Sequence, residues 1–119
     1  MGTHNDFGKK GEQLAADYLL KKGYTIRYKN YRHLKAEVDI IAQKGSILAI
    51  VEVRSRSTDF IENIADTITK KKIQLQVLAA DHYVTDLNLD VDVRFDVITI
   101  LKNKHTFDLN HIENAYYHF

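Results

Sequence analysis

Ala36-Glu37-Val38-Asp39-Ile40-Ile41-Ala42-Gln43, a break at Lys44-Gly45, and then Ser46-Ile47-Leu48-Ala49-Ile50-Val51-Glu52-Val53-Arg54 form the stretch from which the fold is read. Two runs rich in β-branched residues on either side of a glycine predict a β-hairpin. The second run is so apolar that it should be covered on both faces, as central strands of α/β sheets are. With a two-residue turn at Lys44-Gly45, Glu37 opposes Glu52, Asp39 opposes Ile50, and Asp39 lies diagonally beside Glu52. Strand alternation then sends Glu37, Asp39, Glu52 and Arg54 out of the same sheet face. A four-residue loop keeps that parity; a three-residue loop destroys it.

Working outward, residues 8–22 carry Gly11, Leu14, Ala15, Tyr18 and Leu19 on one helical stripe, with Gly23 set to end it. Residues 24–29 alternate as a half-buried strand. A second helix is predicted from Thr67 or Thr69 to Val84, with Ile68, Ile73, Leu75, Val77, Leu78 and Ala80 toward the core. Strands follow at Val93–Leu101 and around Thr106–Leu109. The tail from His111 to Phe119 reads as one or two helical turns, with Ile112, Ala115, Tyr116 and Phe119 packing down. The order α-β-β-β-α-β-β-α predicts an α/β fold with a mixed sheet flanked by helices. No repeat, low-complexity tract or linker divides the chain, so residues 1–119 are expected to form a single domain.

The chain has 119 residues and no cysteine, proline or tryptophan. Without cysteine there is no disulfide, no thiolate zinc site and no cysteine nucleophile. The longest apolar run, Ile47–Val51, is far short of the ~20 residues of a membrane helix. No basic-then-apolar start marks a signal peptide. The expected setting is therefore cytoplasmic, with no membrane partner. The formal net charge of +1 hides an imbalance: residues 9–56 hold 11 basic and 5 acidic side chains, whereas residues 57–119 hold 6 and 10. Such asymmetry hints at a surface that meets a polyanion. Lys9, Lys10, Arg32, Lys35, Arg56 and the run Lys70-Lys71-Lys72 are the candidate contacts to DNA or RNA. A run of three lysines near the start of a helix opposes the helix dipole, which suits a phosphate grip, although such a run is more often just a solvated face.

Several carboxylates converging on an apolar hairpin weaken the fold through repulsion and desolvation. A bound divalent cation offsets that cost, since Mg²⁺ (or Mn²⁺) takes hard oxygen ligands, including carboxylates and substrate phosphate. Arg54 would stand beside it and hold a phosphate or developing charge. The plainer reading is a surface ion-pair cluster, with Glu37 and Glu52 paired by Arg54, Arg32 or Lys35. Tyr24, Tyr28 and Tyr31 alternate with Arg27, Lys29 and Arg32 as base-stacking surfaces do, although Tyr24 and Tyr28 are more simply core residues. The six histidines have no zinc spacing, and no phosphate-loop glycine motif or G-x-S-x-G element is present.

Asp39 followed by Glu52-Val53-Arg54 resembles the Asp…(Asp/Glu)-x-Lys signature of the PD-(D/E)XK nuclease superfamily. A wider set of residues resembles the YraN family of uncharacterised, endonuclease-like bacterial proteins. It runs through Gly8-Lys9-Lys10-Gly11-Glu12, Gly23-Tyr24, Ala36–Ala42, Val51–Arg54 with Arg56, Lys71, Arg94–Ile98 and His111–Tyr116. That resemblance covers the chain from about residue 7 onward. It implies a restriction-endonuclease-like αβββαβ core and a metal-dependent endonuclease, akin to restriction enzymes or Holliday-junction resolvases. It also implies Asp39 and Glu52 as metal ligands, with Glu12 as an accessory acid; the hairpin parity adds Glu37 in an assisting role. Arg54 stands where the signature has lysine; arginine stays protonated and can only orient and stabilise charge. Two rival expectations follow: a catalytically inactive nucleic-acid-binding module of the same fold, and a protein-interaction domain using the acidic segment Asp86–Asp92. Paired cuts in a branched substrate would call for a homodimer.

Overall fold

The computed structural model describes residues 3–57 and 68–116. Among these residues the elements are α1 (Thr3–Lys21), β1 (Thr25–His33), β2 (Ala36–Lys44), β3 (Ile47–Ser57), α2 (Lys70–Asp86), β4 (Asp92–Asn103) and β5 (Thr106–Ile112). The strands make one sheet in the order β1-β2-β3-β4-β5. β3 and β4 run parallel and every other neighbouring pair antiparallel, so the sheet is mixed, as expected. The arrangement is consistent with an αβββαβ core. No described helix is long and apolar enough to cross a membrane.

Each helix covers one face of the sheet. Ala15, Ala16 and Leu19 of α1 pack on Ile40, Ala42, Ala49, Val51, Ile98 and Ile100. Ala79, Ala80 and Tyr83 of α2 pack on Ala36, Val38, Ile41, Leu48, Ile50 and Phe95. Leu48, Ala49, Ile50 and Val51 are inaccessible on both faces, as their unbroken apolarity predicts. Gly23 ends α1 at φ +95°, a conformation that favours glycine. Its N–H donates to Leu20 C=O at 3.1 Å, and the Tyr24 N–H donates to Leu19 C=O at 2.9 Å. Thr69 caps α2, its Oγ1 accepting from the Lys72 N–H at 3.1 Å. Thr67, the other predicted start, lies outside the described residues.

Gly11 lets α1 settle onto β3. A Cβ there would run into Ser55 Oγ and lie 3.3 Å from Ser55 Cβ and 3.7 Å from Ile100 Cγ1. Gly11→Val should therefore destabilise by about 1–3 kcal/mol in a thermal melt. Gly8→Ala, which meets nothing within 4 Å, should be neutral or slightly stabilising. Equal melting temperatures for the two variants would contradict this packing.

Several expectations are corrected. The hairpin turn is Gly45-Ser46, one residue later than Lys44-Gly45, because Lys44 pairs with Ile47 and Ile41 with Ile50. Gly45 at φ +59° occupies the first turn position and no positive φ follows at Ser46, the pattern of a type II′ turn. The slip moves every partner by two, so continuing the same register brings Asp39, rather than Glu37, level with Glu52. The shared face is also broken. Ala36 and Val38 join the α2-side cluster, Ile40 the α1-side cluster and Ile41 the α2-side cluster again. Alternation thus slips by one at Asp39, and Glu37 leaves the face that carries Glu52 and Arg54. The tail differs as well: His111 and Ile112 extend β5, and Glu113-Asn114 form a turn with Asn114 at φ +52°. Pairing with β4 satisfies the backbone of His111 and Ile112, where a helical turn had been expected. Phe119 lies outside the described residues. Tyr24 is buried, but Tyr28 is 49% exposed and is not a core residue.

Candidate active site

Glu52 is the most constrained side chain at the end of the sheet. It projects from β3 toward α2, two residues beyond the core residue Ile50, and is only 3% exposed. Its Oε2 accepts from Arg54 Nε at 2.9 Å and lies 3.2 Å from Lys72 Nζ. Its Oε1 accepts from Gln76 Nε2 at 3.0 Å. Arg54 reaches it from the same face of β3 because strand side chains repeat every second residue. Lys72 and Gln76 reach it together because they stand four apart on α2. Gln76 is itself fully buried, and its Oε1 accepts from the Tyr116 hydroxyl, which fixes the amide's orientation. Burial and the charge of Glu52 raise the Tyr116 hydroxyl above its ordinary range, so it stays a donor.

Asp39 occupies the point where β2 loses its alternation. Its Oδ2 accepts from the Val53 N–H at 2.8 Å, taking the place of a backbone acceptor where the β2–β3 pairing ends. Burial and repulsion from Glu52 push the Asp39 carboxyl up to about 7, against the opposing pull of the Val53 hydrogen bond. Glu12 on α1 stands nearby, also raised, first by burial and then by the charge of Glu37, while Lys29 and Asn30 favour its ionised form. Glu37 is the least engaged: it is exposed and lies 3.6 Å from Arg32 Nη2. Such an exposed pair contributes little to stability. For Glu37, then, the surface ion-pair reading holds; for Glu52 the pairing is interior.

The donor set suits a hard divalent cation. Among the described residues no group of three or more His, Asp or Glu is arranged to hold a metal. What converges instead is a pair of carboxylates, Glu52 buried and Asp39 half-buried, with the Asp39 carboxyl raised first by burial and then by the charge of Glu52. One or two carboxylates, with the remaining positions left to water and substrate phosphate, is the usual Mg²⁺ arrangement.

The remaining basic candidates surround the same end of the sheet. Lys35 lies in the exposed β1–β2 turn, and Lys70 and Lys71 are exposed at the start of α2. Lys9 and Lys10 are exposed on α1, and Arg56 donates to Ser55 C=O at 2.8 Å. Phe7, Gly8, Glu12, Val53, Ser55 and Arg56 line a hollow of ≈ 300 Å³ on the α1 side of the sheet, with Glu12 its one acid. Sequence reasoning missed Gln76 as part of this site. The signal was present: a glutamine within an otherwise core-facing stretch, four residues after Lys72.

A second buried polar cluster lies on the α1 side. Asp96, wholly inaccessible on β4, is bidentate to Arg94 (Nε–Oδ1 2.9 Å, Nη2–Oδ2 2.8 Å). It also lies 2.8 Å from His111 Nε2 and accepts from the Asn114 N–H at 3.1 Å. Burial alone would raise its carboxyl, but the bonds from His111, Arg94 and Asn114 hold it below the ordinary value. Tyr18 OH lies 3.1 Å from His111 Nδ1, and Arg94 Nη2 donates to Tyr24 OH at 2.5 Å. The cluster thereby ties β4 and β5 to α1 and to Tyr24 in the α1–β1 connection.

Comparison with known proteins bears out the family resemblance. The model of the uncharacterised protein family UPF0102 matches residues 11–100. A UPF0102 protein of Christiangramia forsetii is 50% identical over 119 residues, spanning all of both chains. One of Flavobacterium psychrophilum is 47% identical over 119 residues, again spanning both chains. One of Phocaeicola vulgatus is 42% identical over 117 residues, covering 98% of this chain and 97% of its own.

Proposed function

The chain belongs to the UPF0102 family, and we propose that it is a nucleic-acid-binding endonuclease of the PD-(D/E)XK type that hydrolyses phosphodiesters with Mg²⁺ or Mn²⁺. The observation that carries this reading is the Asp39–Glu52 pair, a half-buried acid beside a buried one, in which burial and the Glu52 charge raise the Asp39 carboxyl to about 7. Two acids kept close at the expense of stability are explained by a cation that both would ligate. When bound, that cation would polarise the phosphate and lower the pKa of a coordinated water. Arg54, a permanently charged planar donor beside Glu52, orients the scissile phosphate. Glu12 borders the cleft from α1. Lys9, Lys10, Arg32, Lys35, Arg56, Lys70 and Lys71 hold the flanking backbone of DNA or RNA. In the reaction, water oxygen adds to phosphorus, the ester P–O bond breaks and the departing oxygen takes a proton.

The test is a panel of branched, single-stranded and duplex DNA and RNA with Mg²⁺ or Mn²⁺. Cleavage by the wild type should fall to background in Asp39→Ala and Glu52→Ala. Cleavage equal to wild type in either variant would overturn the assignment. A second reading is favoured by the ion pairing of Glu52, whose oxygens are both occupied by side chains of the chain itself. It is a non-catalytic nucleic-acid-binding module. It predicts salt-dependent binding with no cleavage under either metal.

A further inference from the structure

Resting on that proposed function, the geometry points to a role for Lys72 that its place in a lysine run conceals. We infer that Lys72 is a displaceable counter-ion: it neutralises Glu52 in the metal-free protein, leaves when a divalent cation arrives, and then serves the scissile phosphate as the ammonium that Arg54 cannot supply from the signature position.

Three groups hold Glu52, and they differ in how freely they can let go. Gln76 is fully buried and clamped from behind by Tyr116, so its bond to Oε1 is fixed. Arg54 is mostly buried and lies only two residues along the same strand, so its reach is short. Lys72 comes from another element on a flexible four-carbon stem, with its side chain 40% exposed. Lys72 and Arg54 share Oε2, the oxygen without the fixed amide. A cation binding at Oε2 therefore meets one partner that can swing into solvent, and that partner is Lys72. Lys72 stands in the first turn of α2, which Thr69 caps, and its Nζ lies 3.2 Å from Glu52 Oε2, so an ammonium released from Glu52 stays within reach of a phosphate bound there. Its neighbours Lys70 and Lys71 are exposed. Only the third lysine of the run is engaged with the carboxylate site.

The experiment separates metal binding from cleavage. Mn²⁺ is titrated without nucleic acid into wild type, Lys72→Met, Lys72→Arg and a remote charge control, Lys104→Met in the β4–β5 turn. Removing one positive charge near the bound cation, in the high dielectric of a part-exposed site, should tighten Mn²⁺ about tenfold in Lys72→Met. Lys72→Arg and Lys104→Met should stay within about twofold of wild type. In cleavage assays at saturating metal, Lys72→Met should lose about a hundredfold or more in kcat with KM little changed. Tighter metal combined with slower cleavage is a pair of effects that a merely structural lysine would not produce. Unchanged or weaker Mn²⁺ binding in Lys72→Met, or unimpaired kcat, would overturn the inference and leave the nuclease reading standing. Absence of Mn²⁺ binding by the wild type would overturn both. Melting temperatures of all variants identify any loss caused by unfolding.

Discussion

Asp96→Ala is expected to cost about 3–5 kcal/mol, a large share of the stability of a domain of this size. The substitution strips Arg94 of a bidentate partner and removes the acceptors facing His111 Nε2 and the Asn114 N–H. Arg94 keeps the Tyr24 hydroxyl and a distant exposed carboxylate, Glu113, at 3.8 Å, which do not replace it. Urea titration followed by circular dichroism measures the loss. Asp96→Asn, which retains acceptor capacity, should lose less. The pH dependence has a definite sign. Because the folded-state carboxyl lies below its ordinary value, Asp96 contributes its full stability above the unfolded-state pKa. That contribution is lost as pH falls through the folded-state value. Asp96→Asn should therefore flatten the acid limb of the stability curve. Wild-type stability in Asp96→Ala would show that the cluster is dispensable.

Asp39→Asn should have the opposite effect and make the metal-free protein more stable at alkaline pH. The Asp39 carboxyl is raised to about 7, by burial and then by Glu52, so between pH ~4 and ~7 the folded state holds a proton that the unfolded state has released. Wild-type stability consequently falls as pH rises across that window and stays low above it. Asparagine keeps an acceptor for the Val53 N–H and never ionises. The variant should match wild type near pH 4 and exceed it by roughly 2–4 kcal/mol at pH 8, a gain of several degrees in Tm. Mg²⁺ should raise the wild-type Tm at pH 8 and leave that of Asp39→Asn nearly unchanged. A variant less stable than wild type at pH 8 would refute the strained-carboxylate account.

Much of the site was legible because its residues are chemically conspicuous. Asp39, Glu52 and Arg54 interrupt an apolar hairpin, and a charge in such a run stands out whatever its register. Gly23 and Thr69 were legible as helix boundaries because their chemistry is local: a positive φ and a side-chain cap. Glu37 was misread because its placement needed unbroken alternation, and one slip at Asp39 reverses the face of every earlier residue in the strand. The hairpin turn was misplaced by one residue because Gly45 can serve either turn position in a two-residue loop. Gln76 was overlooked because a glutamine amid core residues gains its meaning only from the carboxylate it meets across the fold.

Family membership, the α/β class, the mixed sheet and the identity of the acids on the central hairpin follow from sequence alone. Each rests on periodicity, local turn chemistry or an extended run of matching residues. Tertiary structure decided which acids meet. It brought Asp39 and Glu52 together while sending Glu37 to the surface, and it aimed Lys72 and Gln76 of α2 at one carboxylate. It also closed Asp96, Arg94 and His111 into a buried cluster. These are contacts between elements distant in the chain, fixed by how helices lie on a sheet, and no local pattern in the residues encodes that angle and distance.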